Sequence, residues 1–203
     1  MKISIIGAGN VGGALGKKWA EVGHAVVFGA RSPADPKYAD LKVIGAMTGV
    51  AESLAGAEIV LLALPGSAVA EFAAQFGPQL AGKIVIDATN NPRSPVMNNL
   101  EALQSAAPGA VLGRAFSTLG WENFANPQLG GQQIDLFYVA AVSARPAVEQ
   151  LIREVGLRPV YLGGLEAVLA VDGLTRAWFA LAFGQGKGRR IAFKLVEENA
   201  GPG

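Results

Sequence analysis

Cysteine is absent from the 203 residues, and histidine occurs once, as His24. The first absence removes disulfides, thiolate metal sites and cysteine nucleophiles together. The second leaves no set of imidazoles for a zinc or iron centre, so no metal site is expected. Charge of either sign is sparse, with 17 Lys and Arg against 16 Asp and Glu and a formal net charge of +1. That balance exerts no global pull on nucleic acid, and no nucleic-acid partner is expected. No window offers about 18 uncharged apolar residues, so neither a transmembrane helix nor a membrane partner is expected. The apolar run at the N-terminus is too short for a signal peptide and meets a glycine loop at once, so it reads as a first strand. The expected location is the cytoplasm.

What is present is apolar. Hydrophobic residues make up 51% and charged residues 16%, enough to bury the core of one domain, or of one with a small appendage. Short apolar runs, expected as strands, fall at 3–6, 25–28, 42–45, 58–64, 83–88, 110–116, 136–142 and 159–162. Helices are expected at 11–22, 51–54, 68–76, 96–106 and 146–155, with 33–40 a loop or short helix. This alternation predicts an α/β protein with a doubly wound parallel sheet. A long apolar helix is expected over 165–183, with Asp172 and Arg176 spaced to pair on its surface. A further helix is expected over 189–196.

Gly7-Ala8-Gly9-Asn10-Val11-Gly12 is a G-x-G-x-x-G motif that follows the first strand and opens a helix. That context is the one a dinucleotide fingerprint requires. Gly7 permits the tight turn, Gly9 lets backbone approach a pyrophosphate, and Gly12 lets helix and strand pack. The first helical residues, Asn10 and Val11, bring unpaired N–H groups and the positive end of the helix dipole. The other reading is a tight turn without a ligand.

The NAD version of this fingerprint places an acid about 20 residues on, where it accepts from the ribose hydroxyls. Here strand two ends in Gly29-Ala30-Arg31-Ser32, with no carboxylate. An arginine at that corner offers a charge-assisted partner for a 2′-phosphate, with Ser32 as a second donor. Lys37 reaches the same corner if its loop folds inward. The pattern favours NADP(H) over NAD(H); the alternative is a solvated loop arginine.

Groups able to carry a proton beside a hydride are few. His24 precedes strand two, at the end of the sheet away from the nucleotide, where it reads as a helix C-terminal residue. A hydride passed between two stacked rings needs little side-chain chemistry. Three loops follow strands at the carboxyl edge, where such a site must lie. The first holds Leu64, Pro65, Gly66 and Ser67, the second Ala88, Thr89, Asn90 and Asn91, and the third Ser117 and Thr118. Leu64, Pro65, Ala88 and Asn90 are expected cofactor contacts, and Pro65, Asn90, Ser117 and Thr118 are the candidates nearest the reacting ring. Ordinary turn chemistry is the competing explanation of each loop.

The stretches IIGAGNVG, FGARSP, ALPGSAV, DATNNP, GRAFSTLGWENFANP and LAFGQGKGRRIAFKL occur in this order over nearly the whole chain. Together they resemble the NADPH-dependent oxidoreductases related to coenzyme F-420:NADP oxidoreductase. More loosely, they resemble the NADPH domains of the six-transmembrane metalloreductases. The resemblance implies a Rossmann domain with a small C-terminal helical extension. Residues 1–142 then form the NADP-binding domain, and 143–203 a strand-and-helix portion packed on it as a candidate dimer contact. It implies a homodimer, with NADP(H) held by the glycine loop and the Arg31-Ser32 corner. It also implies reversible hydride transfer to a small-molecule redox acceptor, a flavin (FMN or FAD) or a deazaflavin such as coenzyme F-420. Ser117 stands where many relatives carry Asn or His. The Gly184–Arg190 stretch (residues 184–190) is either a cationic cradle for an anionic acceptor or a helix break with exposed charges. Two other functions stay open: an NADPH-dependent reductase of an imine or keto substrate, and a non-catalytic NADPH-sensing module.

Overall fold

A computed structural model describes residues 1–198 of the chain. Strand β1 (Lys2–Ile6) runs into helix α1 (Asn10–Glu21) and strand β2 (Ala25–Gly29). After a 3-10 turn come α2 (Ala39–Lys42), β3 (Ala46–Thr48) and α3 (Val50–Leu54). Next are β4 (Ile59–Leu62), α4 (Val69–Phe76), β5 (Ile84–Asp87), α5 (Leu100–Ala106) and β6 (Val111–Arg114). A short helix α6 (Glu122–Ala125) and a hairpin of β7 (Gln128–Leu129) and β8 (Gln132–Gln133) lead to β9 (Asp135–Ala140). The chain continues through α7 (Arg145–Glu154), β10 (Arg158–Tyr161) and α8 (Val168–Phe179), which runs on as a π-helical turn, Ala180–Gly184.

Eight strands form one sheet in the order β10-β9-β6-β5-β4-β1-β2-β3. The six from β3 to β6 are parallel, as expected. The last two extend this parallel sheet with reversed strands. β9 meets β6 antiparallel, through Gly113 opposite Ala140, and β10 follows β9 in the same reversed sense. A parallel return needs a crossover along the face of the sheet. The segment between β6 and β9 instead turns back at the same end, through α6 and the hairpin.

All four residues of β4 are buried, because helices cover both faces. On one face Leu15 and Trp19 of α1 are fully buried, and Trp19 Nε1 donates to Leu151 O of α7 at 3.1 Å. On the other, Phe72, Leu100 and Leu103 cover Val60, Leu62 and Val85. His24 sits at the amino ends of β1 and β2, the opposite edge from the carboxyl ends of the strands. Its Nε2 lies 2.7 Å from Glu154 Oε2 and its Nδ1 3.1 Å from the amino group of Met1.

Several expected elements differ. Residues 42–45 are not a strand: Ile44 N and Gly45 N still bond Leu41 O at the end of α2, and the strand is Ala46–Thr48. The helix expected from 96 starts at Leu100, because Asn99 N donates to Asp87 Oδ2 and Leu100 N to Asn98 Oδ1. No helix forms over 189–196. Gly186 and Gly188 hold left-handed φ angles of 63° and 74°, and tertiary donors take the carbonyls a helix would use. Asn123 Nδ2 takes Arg189 O, Trp178 Nε1 takes Ile191 O, and Arg158 takes Leu195 O. The result is an extended strap across the β9–β10 edge. Asp172 and Arg176 do not pair with each other: Asp172 is buried, and Arg176 donates to Ser94 O and Pro95 O. By length and mean hydropathy (1.3) alone, Leu165–Gly184 is long and apolar enough to cross a membrane, although it carries Asp172 and Arg176. Its Val171, Asp172, Thr175 and Trp178 are buried in the fold.

Candidate functional site

The carboxyl ends of β1, β2, β4, β5 and β6 open on one edge of the sheet, and their loops form a mouth. At its centre the chain leaves β1 through Gly7, whose φ is 109°. A Cβ there would lie 2.4 Å from Ala63 O, and one on Gly12 would lie 2.1 Å from Gly7 O. Both positions are closed to any side chain. Gly9 is the reverse case: a Cβ built on it meets nothing within 4 Å. Gly9 is the N-cap of α1, no side chain caps it, and the first turn holds no acid. The first-turn N–H groups, including those of Asn10 and Val11, face this open space with the positive dipole end behind them. That is a cradle for an anion.

Beside it, β2 ends at Gly29. Ala30 is buried, whereas Arg31 and Ser32 are exposed. Arg31 has no ion-pair partner among the described residues. Lys37 behaves differently. Its Nζ lies 2.9 Å from Asp35 Oδ2 and 4.9 Å above the Tyr38 ring. This pairing holds the Asp35 carboxyl below its ordinary range and raises the lysine. So of the two expected cations, Arg31 is available to a ligand and Lys37 is engaged by its own loop.

The other half of the mouth is built around Arg114, at the end of β6, whose side chain is fully buried. Its Nε donates to Asp172 Oδ1 of α8 at 2.7 Å. One terminal nitrogen reaches Asp87 Oδ2 at 3.1 Å and Thr89 O at 2.8 Å, and the other reaches Asn90 Oδ1 at 2.9 Å. Asn90 passes the link on, its Nδ2 donating to Ser117 O at 2.9 Å. Asp87 also accepts from Thr89 N, Thr89 Oγ1 and Asn99 N, and Asp172 from Asn98 Nδ2 at 2.7 Å. One guanidinium thus sets the loops after β5 and β6 and pins α8 to them. Pairs like these are charge-assisted and geometrically demanding.

The three expected loops do come together here. Leu64 is half-buried and Pro65 exposed at the rim, while Gly66 packs directly on Asn90 and Asn91. Ala88 is buried at the base. Phe116 carries a left-handed φ of 62°, which is costly for a non-glycine residue. Its ring, wedged edge-on between Trp19 and Phe124 at 5.7 Å from each, holds it there. Ser117 and Thr118 are each 1% exposed, and neither hydroxyl has a hydrogen-bond partner. A buried hydroxyl without a partner costs about 1–3 kcal/mol, so two side by side call for an explanation.

Asn90 therefore acts as a clasp within the protein, and the polar atoms left over are the hydroxyls of Ser117 and Thr118 and, further along, Glu122 Oε2. The motif reading missed Arg114, Asp87, Asp172, Asn98 and Asn99. The available signal was a charged residue at the end of an otherwise apolar strand, together with acids in DATNNP and on an apolar helix. In the Gly184–Arg190 stretch (184–190), Arg189 Nε bonds Glu122 Oε1 at 2.7 Å, and Arg190 donates to Asn123 Oδ1 and to three carbonyls. Both arginines serve the strap; Lys187 is exposed. No group of three or more potential metal ligands occurs among the described residues.

Residues 2–91 match the family model described as "NADP oxidoreductase coenzyme F420-dependent". Metalloreductase STEAP3 of Rattus norvegicus is 26% identical over 179 residues, covering 85% of this chain and 36% of its own. The chain thus spans about a third of that relative's length. Among solved structures, a candidate F420-dependent NADP reductase from Arthrobacter sp. FB24 superposes with a TM-score of 0.83 at 24% identity. That match covers 97% of this chain and all of the other. An imine reductase from Aspergillus terreus, solved with NADPH4, superposes at 0.68 with 23% identity, covering 90% of this chain and 63% of its own. The Rossmann-like α/β fold and the likeness to NADP-dependent oxidoreductases, both expected from the motifs, are borne out.

Proposed function

We propose that this chain is an NADPH-dependent oxidoreductase whose hydride acceptor is a second redox ring, a flavin or a deazaflavin of the coenzyme F-420 kind. One observation carries the choice of acceptor. At and just beyond the loop after β6 the buried unpaired polar atoms are two hydroxyls and Glu122 Oε2, whose carboxylate is held by Arg189, while the titratable groups at the inner half of the mouth, Asp87, Arg114 and Asp172, are bonded to one another. Reduction of a carbonyl or imine asks for a positioned proton donor. Ring-to-ring hydride transfer asks mainly for stacking and orientation. The family match over residues 2–91 supports NADP(H) as the donor.

In this reading the first turn of α1, with Gly9, Asn10 and Val11, holds the pyrophosphate. Arg31 and Ser32 hold the 2′-phosphate, since Arg31 is exposed and has no ion-pair partner among the described residues. Leu64, Pro65 and Ala88 bound the nicotinamide end. The hydroxyls of Ser117 and Thr118 take the polar edge of a ring, on a loop that Asn90 keeps in place. Bound NADPH supplies the hydride, and these residues orient it. Leu169 and Phe183 leave apolar surface on the outer side of α8, 76% and 55% exposed, which suits a homodimer contact.

The test is to mix the purified chain with NADPH and follow its absorbance with coenzyme F-420, FMN, FAD or a ferric chelate added in turn. Ferric chelates are included because the curated relative is a metalloreductase. Oxidation by a ring acceptor is the expected result. Turnover with imines or keto acids alone would overturn the choice of acceptor. Tight NADPH binding without oxidation by any acceptor would leave a sensing module.

A further inference from the structure

The cluster around Arg114 sets one cationic side chain against two acidic ones. Its guanidinium faces two carboxyl groups, Asp87 at 3.1 Å and Asp172 at 2.7 Å, so the acids outnumber the cation by one. All three side chains are buried, at 0%, 0% and 6% exposure. The remaining contacts to the carboxylates come from neutral donors: Thr89, Asn98 and Asn99. These spread the charge without cancelling it. Arg176, one turn along α8, is exposed and directed at two backbone carbonyls. Arg114 and Asp87 alone would make a balanced pair. Asp172 is the surplus, and stability gives little reason to bury an additional charge. The cluster lies directly beneath the loops carrying Asn90, Ser117 and Thr118, where two buried hydroxyls have no hydrogen-bond partner.

We propose that Asp172, through the negative charge it leaves buried beneath this mouth, makes the site favour the oxidised, cationic nicotinamide over the reduced, neutral one. The inference rests on the reading that the mouth takes NADP(H). When the C4–H bond of the dihydronicotinamide breaks, hydrogen leaves with both electrons for the flavin or deazaflavin ring. That ring is reduced, and its ring nitrogen takes a proton from solvent. The nicotinamide becomes a pyridinium cation. A fixed negative charge in a poorly screened interior stabilises that cation and leaves the neutral ring nearly unaffected. Asp172 is a positioning and electrostatic residue of α8, coupled to the ring through the Arg114 cluster.

The test compares dissociation constants of the full chain for NADPH, by fluorescence, and for NADP⁺, by calorimetry. Asp172→Asn should weaken NADP⁺ relative to NADPH by about tenfold, the scale of one unit charge acting across a protein interior. Asp172→Ser makes the same change of charge if the first variant does not fold. Asn98→Ala disturbs the same cluster without altering its charge and should leave the ratio unchanged. An unchanged ratio on neutralising Asp172, or an equal shift in Asn98→Ala, overturns the proposal. A wild-type chain that binds neither form overturns the reading beneath it, and the proposal with it.

Discussion

The two halves of the mouth solve recognition in opposite ways. The outer half, with Gly9, Arg31 and Ser32, is open: backbone donors without a cap, and a cation without an ion-pair partner among the described residues. The inner half, around Arg114, is closed: every charge is bonded, and two hydroxyls are left over. An open half is suited to gripping a strongly anionic group that brings its own charge. A closed half is suited to holding a ring at a fixed angle, because its frame needs no ligand to become ordered. The affinity is therefore expected to reside mainly in the outer half and the orientation in the inner one.

The largest effect should come from breaking the closed half. Arg114→Met leaves two carboxylates buried with no cation, and urea unfolding should show a loss of about 3–5 kcal/mol. A loss below about 1 kcal/mol would mean the inner half is not a preformed frame. In the open half, Arg31→Ala should weaken NADPH by about tenfold to a hundredfold and NADH much less, with unchanged unfolding. Equal losses for both nucleotides would remove the 2′-phosphate from this corner. Lys37→Ala, whose partner is Asp35, should cost less than about threefold.

The smallest effect concerns acid, and it separates the mouth from the rest of the fold. Glu149 on α7 accepts from Tyr138, Arg145 and Arg153, which lowers its carboxyl to about 2, while Tyr138 is raised by burial and by that same bond. A carboxylate depressed in the folded state stabilises above its unfolded value and loses that contribution as pH falls through the folded one. Wild type should therefore lose stability between about pH 5 and about pH 2 more steeply than Glu149→Gln. Parallel curves for the two proteins would show that the acid sensitivity arises elsewhere.

The open half was largely legible in the sequence. Gly7, Gly9, Gly12 and Arg31 act through local backbone geometry and fixed spacing, which a linear pattern carries. The closed half was legible only as three loops. Its organiser, Arg114, joins residues 58 positions apart in the bond to Asp172, and no periodicity marks such a pairing. The strap failed as a helix for a related reason: its propensity was outvoted by Asn123, Arg158 and Trp178, which take its carbonyls. The reversed β9 also depends on how the chain turns between strands, which apolar runs do not encode.

Phe116 places two demands on one position. Its backbone angle is one that glycine adopts freely, while its ring fills the space between Trp19 and Phe124. Glycine would relax the first and empty the second; leucine would fill part of the space and keep the torsional cost. In a saturation library scored for function, position 116 should thus tolerate almost no replacement, and its intolerance would say nothing about contact with a ligand. A mutational map of this mouth would have its darkest square one residue before the unpaired hydroxyl of Ser117.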